Sequence, residues 1–198
     1  MMKQFTVLSM VFALAACGGG EPASDAPAGE PADAAPAETM EAAAPSGEMS
    51  MPDWFHVDEA NESVHMTITA GATDAKAYWN FNGVTDGNMT ITVPVGYAVM
   101  IDFRNNDPNM AHSLGIGPET GGFGASLDPT PVFAGAITEN PTSMVDATMP
   151  GEEESISFTA DTAGEYSMVC FIPGHAATGM WVRFNVSAEG EAGVLGAM

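Results

Sequence analysis

Basic residues are nearly missing from this chain: Lys3, Lys76, Arg104 and Arg183 are all it has against 26 Asp and Glu, giving a formal net charge of −22. A surface this acidic repels nucleic acid and anionic lipid headgroups and so excludes both as partners; it serves solubility or steers a cationic partner. Long apolar runs are missing too. The stretch from Phe5 to Leu14 is too short to span a bilayer, and no later stretch approaches the roughly eighteen residues a spanning helix needs. No segment of the later chain carries a persuasive helical period, which excludes a helical bundle. Cysteine is almost absent, with only Cys17 and Cys170.

The short cationic start Met1-Met2-Lys3-Gln4 and the apolar run after it have the form of a signal peptide, residues 1–16. The run ends in Leu14-Ala15-Ala16-Cys17-Gly18, which resembles a bacterial lipobox and makes Cys17 the expected lipid attachment site. Residues 17–53 then read as a disordered tether: from Glu21 to Asp53 the chain is almost wholly Ala, Pro, Glu, Asp, Ser and Gly, with no aromatic residue before Trp54, and cannot bury a core. A folded domain is expected over residues 54–188, with a short tail at 189–198. The expected location is periplasmic or extracytoplasmic, held to a bacterial membrane by the lipid anchor only. In such a compartment thiols oxidise, and with Cys17 acylated Cys170 has no disulfide partner. It is then a buried inert thiol, a site of intermolecular pairing or a metal ligand.

Period-two alternation recurs through the domain. Val64, Met66 and Ile68 share one face, as do Met89, Ile91 and Val93, and then Val99, Ile101 and Phe103. Further strands are expected at Ala77–Phe81, Ala111–Ile116, Ser155–Ala160, Glu165–Cys170 and Trp181–Val186. Turn-rich segments such as Asn105-Asn106-Asp107-Pro108-Asn109 separate them. Seven or eight short strands predict an all-β Greek-key β-sandwich. Residues 117–149, rich in Gly, Pro, Thr and Ala, form a long excursion beside one end, and Tyr166 has the position of a corner tyrosine with a structural role.

The chemistry gathers near the C-terminus, where Cys170, His175 and Met180 follow the spacing C-x4-H-x4-M between two expected strands. Singly, Cys170 reads as a core thiol, His175 as a loop histidine and Met180 as packing. Together, a thiolate, an imidazole and a thioether on one tight loop suit copper. His112 is the natural second imidazole, on an expected strand sharing a face with Leu114 and Ile116. His56 and His65 read as surface residues. Two His nitrogens and a Cys sulfur make a trigonal copper plane, with Met180 as the weak axial ligand. The Ser113 N–H or hydroxyl is placed to stiffen the site by hydrogen bonding near the sulfur.

These residues are similar to those of sulfocyanin, a blue-copper protein with the cupredoxin fold. The likeness runs through Phe81-Asn82-Gly83, Val93-Pro94-Val95-Gly96-Tyr97, His112-Ser113, Phe133-Ala134-Gly135-Ala136 and Cys170 to Trp181. The resemblance implies one type 1 copper ion held by His112, Cys170, His175 and Met180, with His112 the more buried ligand and His175 a partly exposed port for electrons. It implies single-electron exchange with redox partner proteins of an electron-transport chain, by a monomer with no enzymatic activity of its own. A copper storage or delivery protein is the alternative. A copper enzyme with a second copper site would need more histidines than His56 and His65 supply, and zinc is disfavoured because a thioether binds it poorly.

Overall fold

The computed structural model describes residues 45–196. Nine strands follow in order: β1 Phe55–Asp58, β2 Ser63–Ala70, β3 Thr90–Pro94, β4 Ala98–Asn105, β5 Gly115–Pro118, β6 Glu153–Thr159, β7 Gly164–Val169, β8 Trp181–Ser187 and β9 Gly193–Leu195. They form a four-stranded sheet, β1-β2-β4-β6, and a five-stranded sheet, β5-β7-β8-β3-β9. The chain changes sheet between β2 and β3 and again between β3 and β4, so β2 pairs in parallel with β4 and β3 with β8. This is the expected all-β Greek-key sandwich. The only helical piece among the described strands and loops is a single 3₁₀ turn, Ala176–Thr178.

The alternating sequences become strands because one face of each can be buried. In β2, Val64, Met66 and Ile68 are buried while His65 is exposed; in β4, Val99, Ile101 and Phe103 are buried while Met100 and Arg104 face water. The inner faces interdigitate around Phe81, Phe103, Phe184, Met66, Met89, Ile91 and Ile101, all with essentially no exposed surface. Each such side chain contributes about 1.5–3 kcal/mol by leaving water. The Tyr166 hydroxyl donates to the Thr162 carbonyl at 3.0 Å, the hydrogen bond expected of a corner tyrosine.

Several local expectations need correction. Ala77–Phe81 is not a strand: Lys76, Ala77 and Tyr78 have φ of 50°, 57° and 72°, left-handed values that no strand accommodates. Alternation in so short a segment did not separate a strand from a turn held by tertiary bonds. The strand expected from Ala111 starts only at Gly115, and His112 makes an isolated bridge to Thr148 instead. Two strands went unpredicted, β1 and β9, both short and both at sheet edges. β9 lies inside the expected tail, where Val194 is buried and its backbone bonds Ser50 in both directions at 2.9 Å. The signal peptide, Cys17 and most of the tether lie outside the described residues. Among the described residues no helix is long and apolar enough to cross a membrane.

Candidate metal centre

Three neighbouring strands bring the expected ligands to one end of the sandwich. Gly115 at the start of β5 pairs with Val169 at the end of β7, and Val169 pairs with Trp181 at the start of β8. Residues just beyond this common rung must therefore converge, and they include His112, Cys170 and Met180. The ligand loop closes on itself: the Cys170 N–H donates to the Met180 carbonyl at 3.2 Å, and the Met180 N–H to the His175 carbonyl at 3.0 Å. Met180 is fully buried in the same core cluster as Cys170.

His112, Cys170 and His175 form a single group with ligand atoms within 4.8 Å of one another. Cys170 Sγ lies 3.9 Å from His112 Nδ1 and 3.5 Å from His175 Nδ1, and the two nitrogens are 3.2 Å apart. A triangle with these sides has its centre about 2.1 Å from every corner, close to the ~2.0–2.3 Å at which a first-row ion such as zinc sits from imidazole nitrogen and thiolate sulfur. The donors therefore fit one ion of that size.

The protonation states fit as well. His112 Nε2 donates to Asp107 Oδ2 at 2.9 Å, with both side chains buried, which leaves the Nδ1 lone pair facing the centre. Burial lowers the His175 pKa to about 4, and the neighbouring His112 adds to the effect. Burial likewise holds His112 below its ordinary value against the opposing pull of Asp107. Both rings are thus neutral and available as donors. The Cys170 thiol is pushed up to about 11 by burial, opposed by hydrogen bonds from Ser113 and Ile172, so an arriving cation must displace its proton. The Ser113 N–H and hydroxyl lie 3.5 and 3.7 Å from Sγ, and the same hydroxyl accepts the Phe171 N–H at 2.9 Å. That is the stiffening role anticipated for Ser113.

One expectation about exposure fails. His175 is only 1% exposed, as closed as His112 at 0%, because the Trp79 indole stacks on it with centroids 3.9 Å apart and planes 20° from parallel. Sequence reasoning missed Trp79, which fell inside an expected strand. It missed Asp107 as well, which read as one more turn residue among Asn105-Asn106-Asp107-Pro108. The available signal for Asp107 was its place five residues before His112 in a run too short to let a carboxylate point far away. His56 and His65 are exposed as expected, and His65 pairs with Asp102 at 2.8 Å.

A buried His-Cys-His group at one end of a two-sheet β-sandwich defines the cupredoxin class of copper proteins. Comparison with known proteins narrows the class. Residues 51–192 match the family model described as the Sulfocyanin (SoxE) domain. Sulfocyanin of Sulfolobus acidocaldarius is 30% identical over 131 residues, covering 62% of this chain and 62% of that protein. Rusticyanin of Acidithiobacillus ferrooxidans is 30% identical over 131 residues, covering 66% and 80%. A solved structure of the copper protein rusticyanin aligns at 26% identity and a TM-score of 0.44, covering 68% of this chain and 88% of that one. This chain belongs to the sulfocyanin family and is a sulfocyanin-like blue copper protein. It spans 62% of the length of the sulfocyanin it matches.

Proposed function

We propose that this chain is an electron carrier that holds one type 1 copper ion through His112, Cys170, His175 and Met180 and exchanges single electrons with redox partner proteins. The observation that carries the reading is the buried triangle of two neutral imidazole nitrogens and one thiol sulfur at 3.2, 3.5 and 3.9 Å. Copper held by such a set together with the Met180 thioether would supply a one-electron couple, because these donors are a compromise between the preferences of its two oxidation states. The chain's own residues supply the rest. Asp107 fixes the tautomer of His112, Ser113 fixes the sulfur, and the closed loop from Cys170 to Met180 brings the thioether back to the same end.

The same reading places the protein outside the cytoplasm as a monomer, with Cys17 lipidated, residues 17–53 as a tether and the membrane contacted through the lipid anchor alone. Rusticyanin and sulfocyanin as relatives support the redox role and the extracytoplasmic setting. The acidic composition supports a partner with a basic docking face.

The test is a visible absorption spectrum of the Cu(II)-loaded protein beside a Cys170→Ala variant. Intense colour that bleaches reversibly with reductant, and is lost in the variant, is the expected result. A colourless protein that still binds copper stoichiometrically refutes the carrier reading and favours storage or delivery.

A further inference from the structure

The segment covering His175 is backbone under strain. Lys76, Ala77 and Tyr78 hold positive φ in succession, a left-handed conformation that is unfavourable for every residue with a Cβ. Surrounding bonds sustain it. Asn80, fully buried, donates through Nδ2 to the Thr73 and Ala75 carbonyls at 2.9 and 3.0 Å, while its Oδ1 accepts the Gly83 and Thr73 N–H groups at 3.0 and 3.4 Å. The strap is also fastened to the ligand loop. Lys76 Nζ donates to the Thr178 carbonyl at 2.8 Å and to Asp86 Oδ1 at 2.7 Å, and the Asp86 N–H donates to the Gly179 carbonyl at 2.8 Å. Gly179, at φ 109°, lets this approach happen, since a Cβ there would collide with Asp86 and Lys76.

Between these fastenings lies Trp79, half-buried, its indole flat on the imidazole of His175. The hydrogen bond that His112 donates to Asp107 and the one that Cys170 accepts from the Ser113 N–H orient those two side chains. His175 Nδ1 faces Cys170 and His112, no hydrogen bond to its Nε2 appears among the described residues, and the indole stacks across the face of its ring. Resting on the ligand assignment above, we propose that Trp79 is a positioning residue for His175. It sets the orientation of the ring and walls it from water, and the strained strap from Thr73 to Asn82 exists to hold the indole there. The outer face that a redox partner meets at His175 is then an indole rather than an imidazole edge.

The experiment uses the full chain loaded with copper, as wild type, Trp79→Leu, Trp79→Phe and Lys76→Gln. It reads the reduction potential and the rate of copper release to excess chelator, and, in the copper-free proteins, the ring-current shift of the His175 ring protons by NMR. Trp79→Leu keeps apolar bulk but loses the stack. It should release copper more than about tenfold faster, the loss typical when an orienting contact to a ligand is removed. Its potential should fall, because water at the ring favours the more highly charged cupric form, and its His175 ring-current shift should vanish. Trp79→Phe should restore the greater part of all three. Lys76→Gln, which leaves the indole intact but frees the strap, should move in the direction of the leucine variant. Unchanged release, potential and ring-current shift in Trp79→Leu overturn the proposal. So does failure of Trp79→Phe to restore them, since an aromatic face against the ring would then not be what positions it; if Trp79→Leu does not fold, unaltered release and potential in Lys76→Gln overturn it. A wild-type protein that forms no blue centre refutes the ligand assignment, whereas a blue wild type with indifferent variants refutes the role of Trp79 alone.

Discussion

Replacing Asp107 with alanine should weaken both the fold and the metal site, by amounts that can be separated. The carboxylate accepts three hydrogen bonds: from Asn109 N–H at 2.8 Å, from Met110 N–H at 3.2 Å and from His112 Nε2 at 2.9 Å. Asn109 and Met110 lie near the surface and can be re-solvated, so their loss resembles the loss of a cap, about 1 kcal/mol. The His112 N–H is fully buried, and orphaning it costs about 1–3 kcal/mol. Urea unfolding of the copper-free variant should therefore show a loss of about 2–4 kcal/mol. Copper adds a second loss. Without an acceptor at Nε2 the proton can move to Nδ1, the atom that faces the centre, and affinity should drop about 10–100-fold. By linkage, the stabilisation that saturating copper gives should shrink by a further ~1.4–2.7 kcal/mol. Asp107→Asn, which keeps an acceptor oxygen, should lose less than half of each. Equal copper-induced stabilisation in wild type and Asp107→Ala would show that the carboxylate does not govern the imidazole, and the argument would fail there.

Gly87→Ala should destabilise the fold by more than about 2 kcal/mol, because the residue sits at φ 67° and its new Cβ would strike the Trp181 ring. Thermal unfolding followed by tryptophan fluorescence reads both effects. Phe103→Ala should cost about 3–5 kcal/mol by opening a cavity between the sheets, measured by denaturant unfolding with an unchanged slope. Asp102 is held below its ordinary value by the Ser155 hydroxyl at 2.6 Å and by His65 at 2.8 Å. A depressed carboxylate stabilises the folded state above its unfolded pKa and stops doing so as the pH falls through the folded value. Asp102→Asn should thus lower stability near neutrality and not at about pH 2, by no more than ~1 kcal/mol at this partly exposed, screened site.

How far the sequence discloses the structure depends on the range of the interactions involved. Val64-Met66-Ile68 and Val99-Ile101-Phe103 were legible because their alternation follows from burying one face of a strand, a local rule. Cys170, His175 and Met180 stood out because a thiol, an imidazole and a thioether, all side chains able to bind a metal, sit within eleven residues. His112 needed the fold to bring it near, and the likeness of His112-Ser113 to a known family stood in for that knowledge. The strand expected around His112 was wrong because the backbone there answers to Thr148, far along the chain. Trp79 was illegible for the same reason. Its strap takes a shape that local preference opposes, and only Asn80 and Lys76, acting across space, make that shape affordable.

The arrangement of these supports bears on what the site is for. His112 is pinned by Asp107 and by its backbone bridge to Thr148, Cys170 by Ser113 and by the Met180 carbonyl, and His175 by Trp79. None of these contacts involves the metal, so each donor is held in place by the protein itself. A site meant to hand copper to another protein gains from ligands that open, because release has to compete with tight binding. A site meant to pass electrons gains from ligands that stay in place when the charge on the ion changes, since every ångström of rearrangement adds to the barrier. Pre-fixed donors, a ring closed to 1% exposure and a strap strained to cover it are features of the second kind. Releasing the strap with Lys76→Gln therefore bears on both uses at once: it should make copper easier to remove and electron exchange slower, and a variant that gained speed in both would indicate a delivery protein.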